Sequence, residues 1–302
     1  IKFIILDVNG EYRNAFTNEE ADYIEYKDIR LHHSILSNAE YGKLFRASEG
    51  IQYPALQACI HKLSKNWKFK DLKQELENWV KEKANHNTFN ENQLYGYLRT
   101  MQLRIDTILD DTDLCNIIDS DTKNENTLDQ INNTSSKVSI INLNISNDSL
   151  DIILFLLFNT TYLSKVINKD FKSHAVLVLE EAHRYINNDS DSTRLGNFFI
   201  DKLAREGRKF GLGLIISSQV PSMLSYSIVS QCNSVIMHKI TNKRDNEYLR
   251  GVLRMSSDIF FDQMNSLPKQ YAIVCGEAFT NDVVVKVLNA NPLPNSSDPI
   301  IK

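Results

Sequence analysis

Two adjacent carboxylates, Glu180 and Glu181, close the aliphatic run VLVL within the stretch VLVLEEAHRYI, residues 176 to 186. An unpaired carboxylate is expensive to bury. These charges must therefore sit where a strand leaves the core, or where a cation meets them. Acids at a strand end beside a metal are a recurring catalytic arrangement. Two further apolar runs end in polar residues: KFIILD finishes on Asp7, with Gly10 and Glu11 in the turn beyond it, and LGLIISSQ finishes on Gln219. Ligands of parallel sheets bind beyond the carboxyl ends of the strands. Brought together, these three ends form one cluster of carboxylates and an amide, suited to Mg2+ and phosphate.

The elements that would position them alternate along the chain. Runs at 2–7, 137–144, 174–179, 212–219, 233–240 and 271–279 read as strands, apolar throughout. Between them lie helical patterns: SNDSLDIILFLLFNTTYLSKVI, the amphipathic TRLGNFFIDKLAREGRKFG closed by Gly211, and NKRDNEYLRGVL. Apolar strands alternating with helices mark a parallel sheet covered on both faces, so the class is α/β. Residues 19 to about 118 read helical; LKQELENWVKEKAN places Leu72, Leu76, Trp79 and Val80 on one helix face. The core is then 1–19 with 137–290, and 20–136 is a helical insertion between the first and second strands of the sheet. Residues 291–302 form a tail. From Asp106 to Asp129 eight acids face one lysine, Lys123, so the acidic, Asn-rich stretch near 106–136 reads as an exposed loop.

Composition sets limits. The 302 residues are 42% hydrophobic, ample for a large core, and the net charge of −4 provides no global field to attract nucleic acid. Any such surface must be local. Four cysteines without CxxC spacing point to free thiols in a reducing, cytoplasmic compartment and argue against zinc. The most lipid-like stretch, residues 152–163, is too short to span a bilayer, so no membrane partner is expected. The chain opens on Ile1 inside an apparent strand, without methionine, and reads as truncated.

An aliphatic strand followed by two acids is the Walker B pattern, in which the first acid holds a metal through water and the second polarises the attacking water. Alone it is weak, because acids also favour helix N-termini. Four ordered motifs strengthen it: LDVNGEY, VLVLEEAHRYI, LAREGRKFGLGLIISSQVPS and QCNSVIMHKITNKRDNEYLRG. Together they closely resemble the HerA branch of the HerA/FtsK ATPases, ring-forming P-loop motors, over residues 1–19 and 137–290. The resemblance implies a RecA-like (ASCE P-loop NTPase) core with a mostly parallel sheet, ATP and Mg2+ as cofactors, and a homo-hexamer. Family members carry Asp-Pro-His-Gly-Glu-Tyr where this chain has Asp7-Val8-Asn9-Gly10-Glu11-Tyr12, so Val8 and Asn9 depart. The usual Asp-Glu pair is Glu180-Glu181 here. No GxxxxGK[ST] occurs; Gly42-Lys43 is followed by Leu44. The family places that loop just before the strand on which this chain opens. The expectation is that an N-terminal part, with the loop and the family's small β-barrel, lies outside this sequence.

The resemblance also assigns roles. Glu180 would hold the metal, Glu181 the water, and Gln219 would sense phosphate or water, while Asp7, Gly10 and Glu11 would border the nucleotide. On a continuous helix Arg194, Lys202, Arg205, Arg208 and Lys209 fall within an arc of about 120°, opposite Leu195, Phe199, Ile200 and Leu203. The family puts REGRK at a subunit boundary, which makes Arg205 and Arg208 candidates to reach a neighbour's γ-phosphate. His183 reads as structural, on a helix after Walker B. Lys239, Lys243 and Arg244 fit a DNA-contacting loop and a solvated one equally well. The function implied is an ATP-driven hexamer that translocates or unwinds double-stranded DNA through its pore. By analogy with bacterial HerA-like proteins, an alternative is an ATP-binding ring that scaffolds an effector, such as a nuclease in antiphage defence. A third reading, from the residues alone, is a paired-carboxylate hydrolase without nucleotide.

Overall fold

The computed structural model describes residues 1–291 except 18, 65, 87–89, 120–126, 128, 129, 132, 133, 146, 169–173 and 187–194. Five strands form one parallel sheet: β1 (Lys2–Asp7), β2 (Ala21–Glu25), β3 (Val138–Asn142), β4 (Ala175–Leu179) and β5 (Leu212–Ile216), in the order β2-β3-β1-β4-β5. β1 is central. Leu6 faces Ile141 on one side and Leu179 on the other, and Ile4, Ile5 and Leu6 are all buried, as a strand covered on both faces requires. Because every pair is parallel, the carboxyl ends of β1, β4 and β5 emerge along the same edge of the sheet.

The helices are α1 (Asn38–Leu44), α2 (Gln52–Lys62), α3 (Phe69–His86), α4 (Glu91–Asp110), α5 (Thr112–Ile118), α6 (Asn147–Asn168), α7 (Leu195–Glu206), α8 (Tyr226–Val229), α9 (Lys243–Val252) and α10 (Ile259–Gln263). The local sequence sets their starts. Ser37 and Glu40 form a reciprocal cap on α1, as Asn90 and Gln93 do on α4. α6 is the apolar helix IILFLLF; Phe155 and Phe158 are fully buried, their rings 6.4 and 6.0 Å from Phe199 of α7. Among the described residues no helix is long and apolar enough to cross a membrane.

Several expectations are corrected. Residues 21–25 lie within the stretch that reads as helical, yet they form β2, paired in parallel with β3 from Ala21↔Val138 to Glu25↔Asn142. ADYIE has no strong local preference, and the pairing with β3 decides it. The runs at 233–240 and 271–279 do not extend the parallel sheet. β6 (Ser234–Met237) and β7 (Tyr271–Gly276) join β8 (Val283–Lys286) in a separate antiparallel sheet. Residues 106–118 are largely helical, as the reading of 19 to about 118 expects, and not the exposed loop that their acids suggest, because Ile108, Leu114, Ile117 and Ile118 are buried beneath those acids. Much of the remaining acidic stretch and residues 292–302 of the tail lie outside the described residues. The helical region shares its hydrophobic core with the sheet, and one cluster runs from Ile4 through Leu72 and Leu98 to Val229. Polar ties cross the same boundary: Ser149 Oγ donates to Asp111 at 2.8 Å and Asn159 Nδ2 to Glu40 at 3.3 Å.

Gly276, at φ +98°, ends β7 so close to β6 that an added Cβ would lie 2.1 Å from the Asn233 carbonyl oxygen. Gly276→Ala is therefore expected to lower the thermal midpoint by several degrees, through left-handed strain and a backbone clash. An unchanged melting curve would show that the β6–β7 junction tolerates the methyl group.

Candidate active site

Asp7 ends β1 almost fully buried. Its carboxylate turns onto its own loop: Oδ1 accepts the N–H groups of Gly10 at 2.7 Å, Glu11 at 3.1 Å and Asn9 at 3.3 Å, and Oδ2 accepts that of Tyr12 at 2.9 Å. Wrapping four amides around one side chain needs a left-handed residue, and Gly10 supplies it at φ +76°. Asp7 thus shapes the loop that carries Glu11 and Tyr12. Arg184 fastens the loop to the far side of β4, donating to the Val8 carbonyl at 3.1 Å and to Asn9 Oδ1 at 3.4 Å.

Beyond β4 the chain does not continue into a helix. Residues 182–184 make a single 3-10 turn, and His183 sits on it. Glu181 immediately precedes that turn at φ 45°, ψ 45°, left-handed although it carries a side chain. Such a residue costs on the order of 1–3 kcal/mol and persists only where its surroundings over-determine it. Here the tips of β4 and β5 are laced together: Ser217 N–H donates to the Leu179 carbonyl at 2.8 Å and Ala182 N–H to that of Ser217 at 2.9 Å. The side chain is gripped as well. Gln219 Nε2 donates to Glu181 Oε1, and His183 Nδ1 stands 3.1 Å from Oε2 and 3.2 Å from Ser218 Oγ. The Ser218 contact is aligned as a hydrogen bond, whereas Oε2 has no hydrogen-bond partner among the described residues.

The Oε2 of Glu180 is likewise buried with no hydrogen-bond partner among the described residues. Burial first, then the charges of Asp7, Glu11 and Glu181, push its carboxyl from an ordinary 4.5 up to about 7. The Tyr12 hydroxyl bonds to it and is itself pushed up to about 12, by burial and by the charge of Glu180. An orphaned oxygen among three other carboxylates is where a cation gains most. No group of three or more ligating side chains is present among the described residues. The one observation that bears on Mg2+ is the orphaned Glu180 oxygen, a donor of the kind that ion takes, since it keeps several waters and binds one or two carboxylates beside phosphate oxygens.

The structure thus gathers Asp7, Gly10, Glu11, Glu180, Glu181 and Gln219 at one sheet edge. Tyr12, His183, Arg184 and Ser218 join them without having been singled out for the site. All four stand inside the quoted motifs, but only the turn after β4 shows that His183 faces Glu181. The arginines stand apart. α7 ends at Glu206 and Gly207–Phe210 tightens into a 3-10 turn, so Arg208 and Lys209 leave the arc expected of one continuous helix. Arg194 lies outside the described residues. Arg205 is held within its own chain, with Nε 3.1 Å from Asp201 and Nη2 donating to Ser227 Oγ at 3.0 Å. Arg208 is exposed, and its side chain has no recorded partner among the described residues.

The shift of Glu180 sets a pH dependence. A carboxyl whose folded pKa lies above its unfolded value contributes stability below about 4.5 that is lost as pH rises through about 7. In metal-free buffer the melting temperature should therefore fall over that interval relative to Glu180→Gln, in which this component is absent. Parallel curves for the two proteins would refute the buried, charge-crowded environment.

The model of the helicase HerA central domain matches residues 1–160. The DNA double-strand break repair helicase HerA of Saccharolobus solfataricus is 32% identical over 162 residues, 50% of this chain and 31% of that protein. Its counterpart from Pyrococcus furiosus is 34% identical over 120 residues, 39% of this chain and 21% of that protein. The chain thus spans a third or less of the length of these relatives. Among solved structures, VirB4 of Thermoanaerobacter pseudethanolicus aligns with a TM-score of 0.65 at 14% identity, over 96% of this chain and 82% of that one. The bacterial conjugative coupling protein TrwB lacking its first 70 residues aligns at 0.64 and 11%, over 95% and 78%. At such identities the likeness concerns the fold, which is RecA-like. With the family's model matching residues 1–160, more than half of its length, this chain belongs to the HerA helicase central-domain family.

Proposed function

We propose that this chain is the catalytic part of an ATP-hydrolysing, ring-forming motor acting on double-stranded DNA. The observation that carries the reading is the pairing of Glu180 and Glu181 at the tip of β4, beside Gln219 and beneath the Asp7 loop, in a member of the HerA central-domain family. The relatives' description as DNA double-strand break repair helicases supports DNA as the substrate.

Each residue then has a task. Glu180 holds the Mg2+ that, when bound, neutralises charge on the phosphates. Glu181 takes the proton of the attacking water, Gln219 orients that water or the γ-phosphate, and Glu11 faces the nucleotide from the loop that Asp7 shapes. The phosphate cradle and its lysine are proposed to come from a GxxxxGK[ST] segment outside this sequence. β5 and β6 each have one unpaired edge among the described strands, and Ile215 and Ile236 there are 48% and 60% exposed. That is where an additional strand could be received. Of the two arginines, Arg208 is the better candidate to reach a neighbouring subunit, because Asp201 and Ser227 already occupy Arg205.

In the full-length protein, Glu181→Gln should lower ATP turnover by about two orders of magnitude or more while ATP binding survives. Glu180→Gln should instead raise the Mg2+ concentration needed. Equal, mild effects from both would reduce the pair to a structural turn. An arginine supplied in trans contributes about 10³–10⁵ in rate, so Arg208→Ala should abolish turnover without dissolving the assembly. Mixing it with Glu181→Gln should restore part of the activity, because some interfaces pair an intact arginine with an intact base. Verified mixed rings that stay inactive would mean that Arg208 acts only within its own chain. DNA-stimulated turnover without movement along DNA would favour a ring that scaffolds an effector.

A further inference from the structure

Glu181 is poorly placed to act in the conformation observed. A carboxylate that takes a proton from water must present a lone pair to that water. Here Oε1 accepts Gln219 Nε2, Oε2 is buried against His183, and the residue as a whole is 8% exposed. The left-handed backbone at Glu181 shows that its surroundings impose this pose.

The arrangement around His183 explains how. An unprotonated Nδ1 would set its lone pair against a carboxylate oxygen 3.1 Å away, so the proton sits on Nδ1. That N–H bonds to Ser218 Oγ at 3.2 Å, and Glu181 Oε2 stands 3.1 Å from the same nitrogen as a polar contact without hydrogen-bond alignment. Ser218 is itself fixed, since its Oγ accepts the Val220 N–H at 3.1 Å. Gln219 and His183 therefore close on one carboxylate, with Ser218 holding the imidazole.

We propose that His183 is a positioning residue that, with Gln219, holds Glu181 in a resting pose, and that hydrolysis requires this grip to open. The proposal rests on the reading of Glu181 as the base of an ATPase. Opening needs no bond to be made or broken. Gln219 and Ser218 lie on the loop after β5, and a shift of that loop withdraws both the amide and the partner that fixes the imidazole.

The test uses full-length protein at saturating ATP without DNA. His183→Leu removes the Nδ1–H and should raise DNA-independent turnover by a few-fold, less than a full hydrogen bond is worth, with little change in KM. His183→Asn, whose side-chain amide can stand near the position of Nδ1, should bring the rate back down. Ser218→Ala removes the partner that fixes the imidazole and should move turnover in the same direction as His183→Leu, by less. A fall or no change with His183→Leu, or the same effect from all three variants, overturns the grip. A second readout needs no turnover: in nucleotide-free protein, the melting-temperature shifts of His183→Leu and Glu181→Gln should fail to add in the double variant. Additive shifts with normal hydrolysis overturn the grip and leave the ATPase reading intact. Failure of the unsubstituted protein to hydrolyse ATP overturns both, even if the shifts are coupled.

Discussion

Leu179 is fully buried between β1 and β5, and the next two residues along the chain are carboxylates. Within one step the backbone passes from the driest part of the sheet to negative charges that cannot remain there unpaired. Three acids meet this constraint to different degrees. Asp7 satisfies it alone, by drawing four backbone amides around its carboxylate. Glu181 satisfies it in part: Gln219 donates to Oε1, on a left-handed backbone, while Oε2 has no hydrogen-bond partner among the described residues. Glu180 also keeps one oxygen without a donor, and burial among carboxylates holds its proton to near neutrality. The charge left uncompensated is thus concentrated at the tip of β4, beside a loop that Asp7 alone has settled.

Much of this was legible in the sequence, for a physical reason. Strands buried on both faces must be apolar throughout, so KFIILD, KVSIIN, AVLVL and LGLII announce themselves, and a parallel sheet then puts their polar ends on one edge. The site's carboxylates and Gln219 follow from that rule alone. β2 did not, because ADYIE is half-exposed at the sheet edge and owes its conformation to β3. The β6–β7–β8 sheet was missed because apolar runs such as SVIM and YAIVCG look the same in parallel and antiparallel sheets. Composition misled at 106–118, where acids on the outer face hid Ile108, Leu114 and Ile117 on the inner one. The part played by His183 had no signal in spacing, since it depends on a turn that replaces the expected helix.

The loop after β5 ties these observations together. It carries Ser218 and Gln219 to the carboxylate and then runs through Ser222 and Leu224 to α8. Along that path it is held from outside at three points. Ser222 N–H donates to the buried Asp245 of α9 at 3.0 Å, the Leu224 carbonyl accepts from Tyr248 of the same helix at 2.8 Å, and Ser227 meets Arg205 of α7 at 3.0 Å. α9 opens with exposed Lys243 and Arg244, and α7 leads into exposed Arg208. Each helix therefore joins a solvent-facing cation to the loop that grips Glu181. A partner that displaced either helix would strain hydrogen bonds on the loop before it disturbed the sheet, because the five parallel strands are paired along their length and the loop is not. Under the proposed function, that gradation would let contact at the surface reach the carboxylate that takes the proton of the attacking water.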